Sequence, residues 1–128
     1  MVQQMVRGGV EVLAGVSHDP DFGPVLAFGL GGVAVEALDD VGLRPLPLRA
    51  GEAEALVAET TAAAKLLAGF RGLPAADVEA LHRCLYALAD YAWADRAAIA
   101  EIDLNPIKVL PRGQGCVVVD ALIVPRQR

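Results

Sequence analysis

A block of helix-forming residues, Glu52 to Ala94, lies between two regions with the patterning of strands, and this order limits the fold more than any other feature. Glu52 to Ala68 is rich in Ala, Glu and Leu, all good helix formers, and is stopped by Gly69. After the connector Phe70-Arg71-Gly72-Leu73-Pro74, a second helix is expected from about Ala75 to Ala94. Its apolar residues Val78, Leu81, Leu85, Leu88 and Ala92 recur at steps of three and four and form one stripe. Upstream, Val2 to Val6, Val10 to Val16, Val25 to Phe28 and Val41 to Leu48 read as extended segments. They are separated by the turn signals Arg7-Gly8-Gly9 and Ser17-His18-Asp19-Pro20-Asp21. Pro45 and Pro47 push the last of these segments to a sheet edge. Downstream, Ala98 to Asn105, Ile107 to Leu110 and Cys116 to Val124 return to strand. With no internal repeat or linker, residues 1–128 are expected to form one α+β domain, an antiparallel sheet with two helices on one face.

Composition removes several function classes. Hydrophobic residues are 55% of the chain, too many for a disordered segment. The net charge of −5 argues against nucleic acid and anionic membranes as partners, since both require a basic face. The longest uncharged run, Phe22 to Val35, holds a Pro and four Gly, so no transmembrane helix is expected. No signal peptide pattern precedes the first Gly-Gly turn. Cys84 and Cys116 fall in a helical and a strand pattern, as buried thiols would in a reducing cytoplasm, which is the expected location.

The chemistry concentrates in two downstream strands. Glu101, Asp103 and Asn105 alternate along one strand and so share a face. Arg112-Gly113 suits a two-residue hairpin turn, which pairs Pro111 with Gln114 and Leu110 with Gly115. The same register puts Asn105 opposite Asp120 and makes Asp103 its diagonal neighbour. Two carboxylates and an amide oxygen then converge, a donor set suited to Mg²⁺ shared with water and phosphate. The competing reading makes Asp103 and Asn105 a turn before Pro106 and leaves Asp120 to cap a strand end.

Glu-Ile-Asp-Leu-Asn-Pro at 101–106, followed by Val-Val-Asp-Ala at 118–121, resembles the end of an ATP-grasp domain. The resemblance is to the NDP-forming acyl-CoA synthetases, the ADP-forming acetate–CoA ligases related to succinyl-CoA synthetase. It extends through Val2 to Glu11, Asp19-Pro20-Asp21-Phe22-Gly23-Pro24-Val25, Phe28-Gly29-Leu30-Gly31-Gly32 and Leu43-Arg44-Pro45-Leu46-Pro47-Leu48. Each motif alone is weak, but the ordered set is specific. The resemblance implies Mg²⁺ and ATP or ADP as cofactors, with Asp103, Asn105 and Asp120 on the metal. It implies that the hinge Gln4, Met5 and Val6 meets the adenine and that Glu11 accepts from ribose hydroxyls. Glu11 also reads as a solvated strand acid. Arg44 is the candidate catalytic residue, near phosphate or acyl phosphate, and also reads as a solvated edge charge. Gly29 to Gly32 reads either as an anion-facing turn or as a plain strand-to-loop turn.

The family relays phosphoryl through a phosphohistidine, and neither His18 nor His82 matches it. The resemblance starts at about the hinge, so the expected partners are a lysine-bearing N-terminal ATP-grasp subdomain, CoA-binding and ligase domains, and the nucleotide. The implied parent reaction is acyl-CoA + ADP + phosphate ⇌ carboxylate + ATP + CoA, with the isolated chain inactive. Two alternatives stand beside it. One is a non-catalytic assembly unit that self-associates through an exposed former interface; the other is part of another ATP-grasp carboxylate ligase.

Overall fold

A computed structural model describes residues 9–31, 40–69, 72 and 74–127. Strands β1 (Val10–Asp19), β2 (Gly23–Leu30) and β3 (Val41–Pro45) precede helices α1 (Glu52–Glu59), α2 (Thr61–Leu67) and α3 (Val78–Ala94). Strands β4 (Ile99–Val109), β5 (Cys116–Val118) and β6 (Ala121–Pro125) follow. Among the described residues every strand pair is antiparallel, in the order β3-β2-β1-β4-β5, with β6 also on β4. The α+β architecture expected from the order of elements is therefore observed. The segment Val2 to Val6 lies outside the described residues.

Alternation along β1 explains which face the helices cover. Val10, Val12, Ala14 and Val16 are buried, whereas Glu11, Leu13 and Gly15 between them are only half-buried. The buried set joins Leu26 and Phe28 of β2 and one face of each helix in a single core. From α3 this core takes Leu81, Leu85, Leu88 and Ala92, four residues of the expected stripe. At the sheet edge, Gly42 lets α1 come close: a Cβ there would stand 2.5 Å from Leu56 Cδ1.

The first helix is not continuous, so among the described residues three helices replace the expected two. Thr60 adopts φ −84° and ψ 89°, is 2% exposed, and donates its hydroxyl to Leu56 O at 2.8 Å. Beyond it, the Asp40 carboxylate accepts from Thr61 N and Ala62 N and so caps α2. A tertiary cap thus overrides a propensity that would favour one long helix.

Two further departures shape the far side of the sheet. Ile99–Val109 forms one long strand instead of two, because β4 runs through Pro106. Val12 pairs with Ile107 and Ala14 with Leu104, so Leu13 alone faces Asn105 and Pro106 in a bulge. Proline cannot donate to a ladder, which makes a bulge its natural place in a strand. The last strand is also interrupted at Val119 and Asp120, yet its register does not change across the break.

That register is fixed from a distance. Gln114 N donates to Pro111 O and Leu110 N to Gly115 O, both at 2.9 Å, which are the pairs expected of an Arg112-Gly113 turn. Asp77, the N-cap of α3, clamps this turn: Oδ2 accepts from Gly113 N (3.1 Å) and Gly115 N (2.8 Å), and Oδ1 from Ala80 N (3.2 Å). The Gly115 N–H above all, with those of Ala80 and Gly113, holds the Asp77 carboxyl below its ordinary range. Cys116 sits close by, its thiol against Ala80 O at 3.7 Å. Cys84 is free, and burial pushes its thiol up to about 11. Burial likewise raises Cys116. Both behave as packing residues.

Candidate functional site

The face of the sheet turned away from the core carries the polar residues of β4. Ile102, Ile107 and Val109 point into the core, so Asp103, the register partner of Gly15, faces the other way. Asn105 shares that face. Its backbone N donates to Asp120 O at 3.1 Å, and Val119 N donates to Pro106 O at 3.0 Å. Leu104 pairs with Ala121 and Ile107 with Val118 on either side of this contact, so Asn105 lies opposite Asp120 in the ladder. The hairpin register expected from the turn is thus observed. The alternative in which Asp103 and Asn105 form a turn fails, because both are within a paired strand.

Asp103 is half-buried, and Asn105 and Asp120 are exposed. Among the described residues, no side-chain hydrogen bond or ion pair engages any of the three. The donors are hard oxygens, and two carboxylates balance the charge of one divalent cation. They therefore fit Mg²⁺, with water and phosphate completing its shell. Among the described residues no group of three His, Cys, Asp or Glu could hold a metal ion, so an ion there would draw on the Asn105 amide, water or phosphate as well.

Beside Asp103 lies a shallow depression of about 180 Å³, lined by Leu13, Gly15, Ser17, Ala27, Glu101 and Asp103. Gly15 keeps it open, since a Cβ there would stand 2.8 Å from Ile102 O and 3.6 Å from Asp103 Oδ1. Larger hollows occur elsewhere, about 550 Å³ beside Asp77 and Arg83 and about 600 Å³ beside Leu30 and Leu66. The first is lined by a carboxylate already accepting three N–H groups, and the second is almost wholly apolar.

Glu11 is on the same face, at the end of β1 nearest the Arg112-Gly113 turn, paired in register with Lys108. Lys108 Nζ stands 3.1 Å from Glu11 Oε2. The sequence reading missed Lys108, because three residues from Asn105 in a regular strand would put it on the opposite face. The bulge at Asn105 and Pro106 returns it to this one, and Pro106 was the available signal.

Arg44 requires a correction. It pairs in register with Leu26, which is fully buried, so its side chain lies on the helix-covered side of the edge strand. There Nη2 meets Glu59 Oε2 of α1 at 2.6 Å and Nη1 donates to Leu43 O at 3.0 Å. The sheet stands between Arg44 and the Asp103–Asn105–Asp120 set. The glycine turn is also corrected in part, because Gly31 N donates to Glu11 O at 2.9 Å and is not open to an anion. Gly32 and the hinge residues Gln4, Met5 and Val6 lie outside the described residues. His18 is structural: its ring bonds Ile99 O at 2.9 Å through Nε2, and Arg126 Nη2 lies 3.1 Å from Nδ1.

Known proteins share both the sequence and the fold. The beta subunit of ADP-forming acetate–CoA ligase II of Pyrococcus furiosus is 40% identical over 124 residues, covering 97% of this chain and 52% of the subunit. ADP-forming acetate–CoA ligase I of Archaeoglobus fulgidus is 41% identical over 117 residues, only 17% of its length. The chain thus spans about half of the first relative and a small part of the second. Among solved structures, the dinucleotide forming acetyl-coenzyme A synthetase 1 of Ca. Korarchaeum cryptofilum superposes with a TM-score of 0.82 at 44% identity. The match covers 92% of this chain and 54% of that one, which is in complex with coenzyme A and Mg-AMPPCP, its phosphohistidine segment pointing towards the nucleotide binding site. Residues 1–124 match the family model of the ATP-grasp domain, and the chain belongs to the ATP-grasp domain family.

Proposed function

We propose that this chain supplies the nucleotide- and Mg²⁺-binding face of an ADP-forming acyl-CoA synthetase, which interconverts acyl-CoA, ADP and phosphate with a carboxylate, ATP and CoA. The observation that carries this reading is the β4 register, with Asn105 opposite Asp120 and Asp103 beside them on the side away from the core. Asp103, Asn105 and Asp120 would hold Mg²⁺ through their side-chain oxygens, and the ion when bound neutralises charge on the nucleotide phosphates. Glu11 would accept from the ribose hydroxyls. It lies four residues from Gly15, the partner of Asp103, or ~13 Å along the strand, a length an extended nucleoside diphosphate and a bridging cation can span. Gln4, Met5 and Val6 remain the proposed adenine contacts.

Such a face is one wall of a clamp. Val41 and Leu43 on β3 and Leu122 on β6 are exposed apolar side chains that a second subdomain would cover, and they support an N-terminal ATP-grasp partner. CoA-binding and ligase domains would complete the enzyme, in a cytoplasm that keeps Cys84 and Cys116 reduced. No helix of the described residues is long and apolar enough to cross a membrane.

A one-sided cleft leaves much of the ligand hydrated, so binding by this chain alone should be weak. Calorimetric or NMR titration is expected to give Mg²⁺-dependent ADP binding with Kd on the order of 1 mM, roughly 4 kcal/mol. It is expected to show no acyl-CoA-dependent ATP synthesis. Tight binding indifferent to Mg²⁺, or ATP synthesis at about 1 per second or faster, would contradict the reading.

A further inference from the structure

We propose that Lys108 is a positioning residue for the ribose end of the ligand, holding the Glu11 carboxylate in place to accept from a vicinal diol. The inference rests on the nucleotide-binding reading above and assigns a role to a residue that reading does not use.

The ion pair differs from an ordinary surface contact. Exposed lysine–carboxylate pairs usually hold neither partner in one geometry, because two long chains must be ordered in water. Here the Lys108 side chain is 16% exposed against 42% for Glu11, so the lysine stem is packed while the carboxylate is accessible. Gly9 accounts for that packing. A Cβ on Gly9 would stand 2.6 Å from Lys108 Cγ and 2.8 Å from Cδ, so the lysine stem occupies the space where a side chain at position 9 would be. Packed along the start of β1 in this way, the stem sets the direction from which the ammonium reaches Oε2.

Lys108 occupies one oxygen of Glu11, and among the described residues no hydrogen bond engages Oε1. A carboxylate tethered through one oxygen and open at the other suits a diol, which donates from neighbouring hydroxyls. Charge supports the same role. Glu11, Glu101, Asp103 and Asp120 are all acids, and the ligand is itself an anion. The cation proposed at Asp103, Asn105 and Asp120 offsets one end of this charge, and Lys108 offsets the other.

The test is an NMR titration of this chain with adenosine, 2′,3′-dideoxyadenosine and Mg·ADP, with the amide spectrum reporting that each variant is folded. Lys108→Met is expected to weaken adenosine about five- to tenfold and Mg·ADP by at least that factor. It should leave dideoxyadenosine unchanged, because that ligand has no diol to lose. Lys108→Arg should restore most of the adenosine affinity. Gly9→Ala, which retains the lysine but takes the space of its stem, should fall between and serves if Lys108→Met does not fold. Equal losses for adenosine and dideoxyadenosine, or wild-type affinity in Lys108→Met, would overturn the role of Lys108 and leave the nucleotide reading standing. A wild-type chain that binds neither adenosine nor Mg·ADP would overturn both.

Discussion

Replacing Asp120 by alanine is expected to abolish the Mg²⁺ dependence of ADP binding while leaving adenosine binding as it was. In the wild-type chain Mg²⁺ should strengthen ADP binding on the order of tenfold, and in Asp120→Ala that ratio should fall to about one. The loss would be specific because Asp120 is exposed and its side chain has no hydrogen bond among the described residues. Surface substitutions of this kind usually change stability by no more than about 0.5 kcal/mol. The ladder contact with Asn105 runs through the Asp120 carbonyl, which alanine keeps. Titration of ADP with and without Mg²⁺ measures the ratio directly. A ratio unchanged in Asp120→Ala would remove Asp120 from the site.

Asp77→Ala is expected to be the most destabilising exchange of a polar residue, although Asp77 touches no proposed ligand. One carboxylate caps α3 through Ala80 N and fastens the β4–β5 turn through Gly113 N and Gly115 N. Its removal leaves three N–H groups without that acceptor, and Tm should fall on the order of 10 °C. The dependence on pH has a definite sign. The folded carboxyl is depressed, chiefly by the Gly115 N–H, so its contribution is complete above the unfolded value, about 3.9. It is lost as pH falls from there through the folded value. Wild-type stability should therefore decline below about pH 4 more steeply than that of Asp77→Ala. Thermal unfolding between pH 2 and 7 checks both points, and parallel curves for the two proteins would show that the clamp is not stabilising.

The parts of this site that could be read from sequence are those set by local rules. The Arg112-Gly113 turn and strict alternation were enough to bring Asn105 opposite Asp120, because a hairpin register is fixed at its turn and propagates along both strands. Most of the features that escaped depend on residues distant in sequence. The helix break at Thr60 needs Asp40, some twenty residues earlier, as a cap for α2. The face taken by Arg44 is decided by its register against Leu26 on a neighbouring strand, which no pattern within 41–48 reveals. Lys108 was hidden by a bulge that reverses the parity of β4 halfway along. Family resemblance supplied roles for Glu11 and Arg44 but not their surroundings. One proves to be tethered by a lysine, and the other is engaged by Glu59 on the far side of the sheet.

Paramagnetic relaxation by Mn²⁺ substituted for Mg²⁺, in the presence of ADP, tests the proposed metal position most directly. Mn²⁺ takes the same oxygen donors and broadens the amide signals nearest to it. The result expected is broadening centred on Asp103, Asn105 and Asp120, fading along β4 towards Ile99, with Glu59 and the α1 side of Arg44 unaffected. Broadening centred on the acids of the helix-covered side, such as Asp77 and Glu79, or none at Asn105 and Asp120, would contradict it.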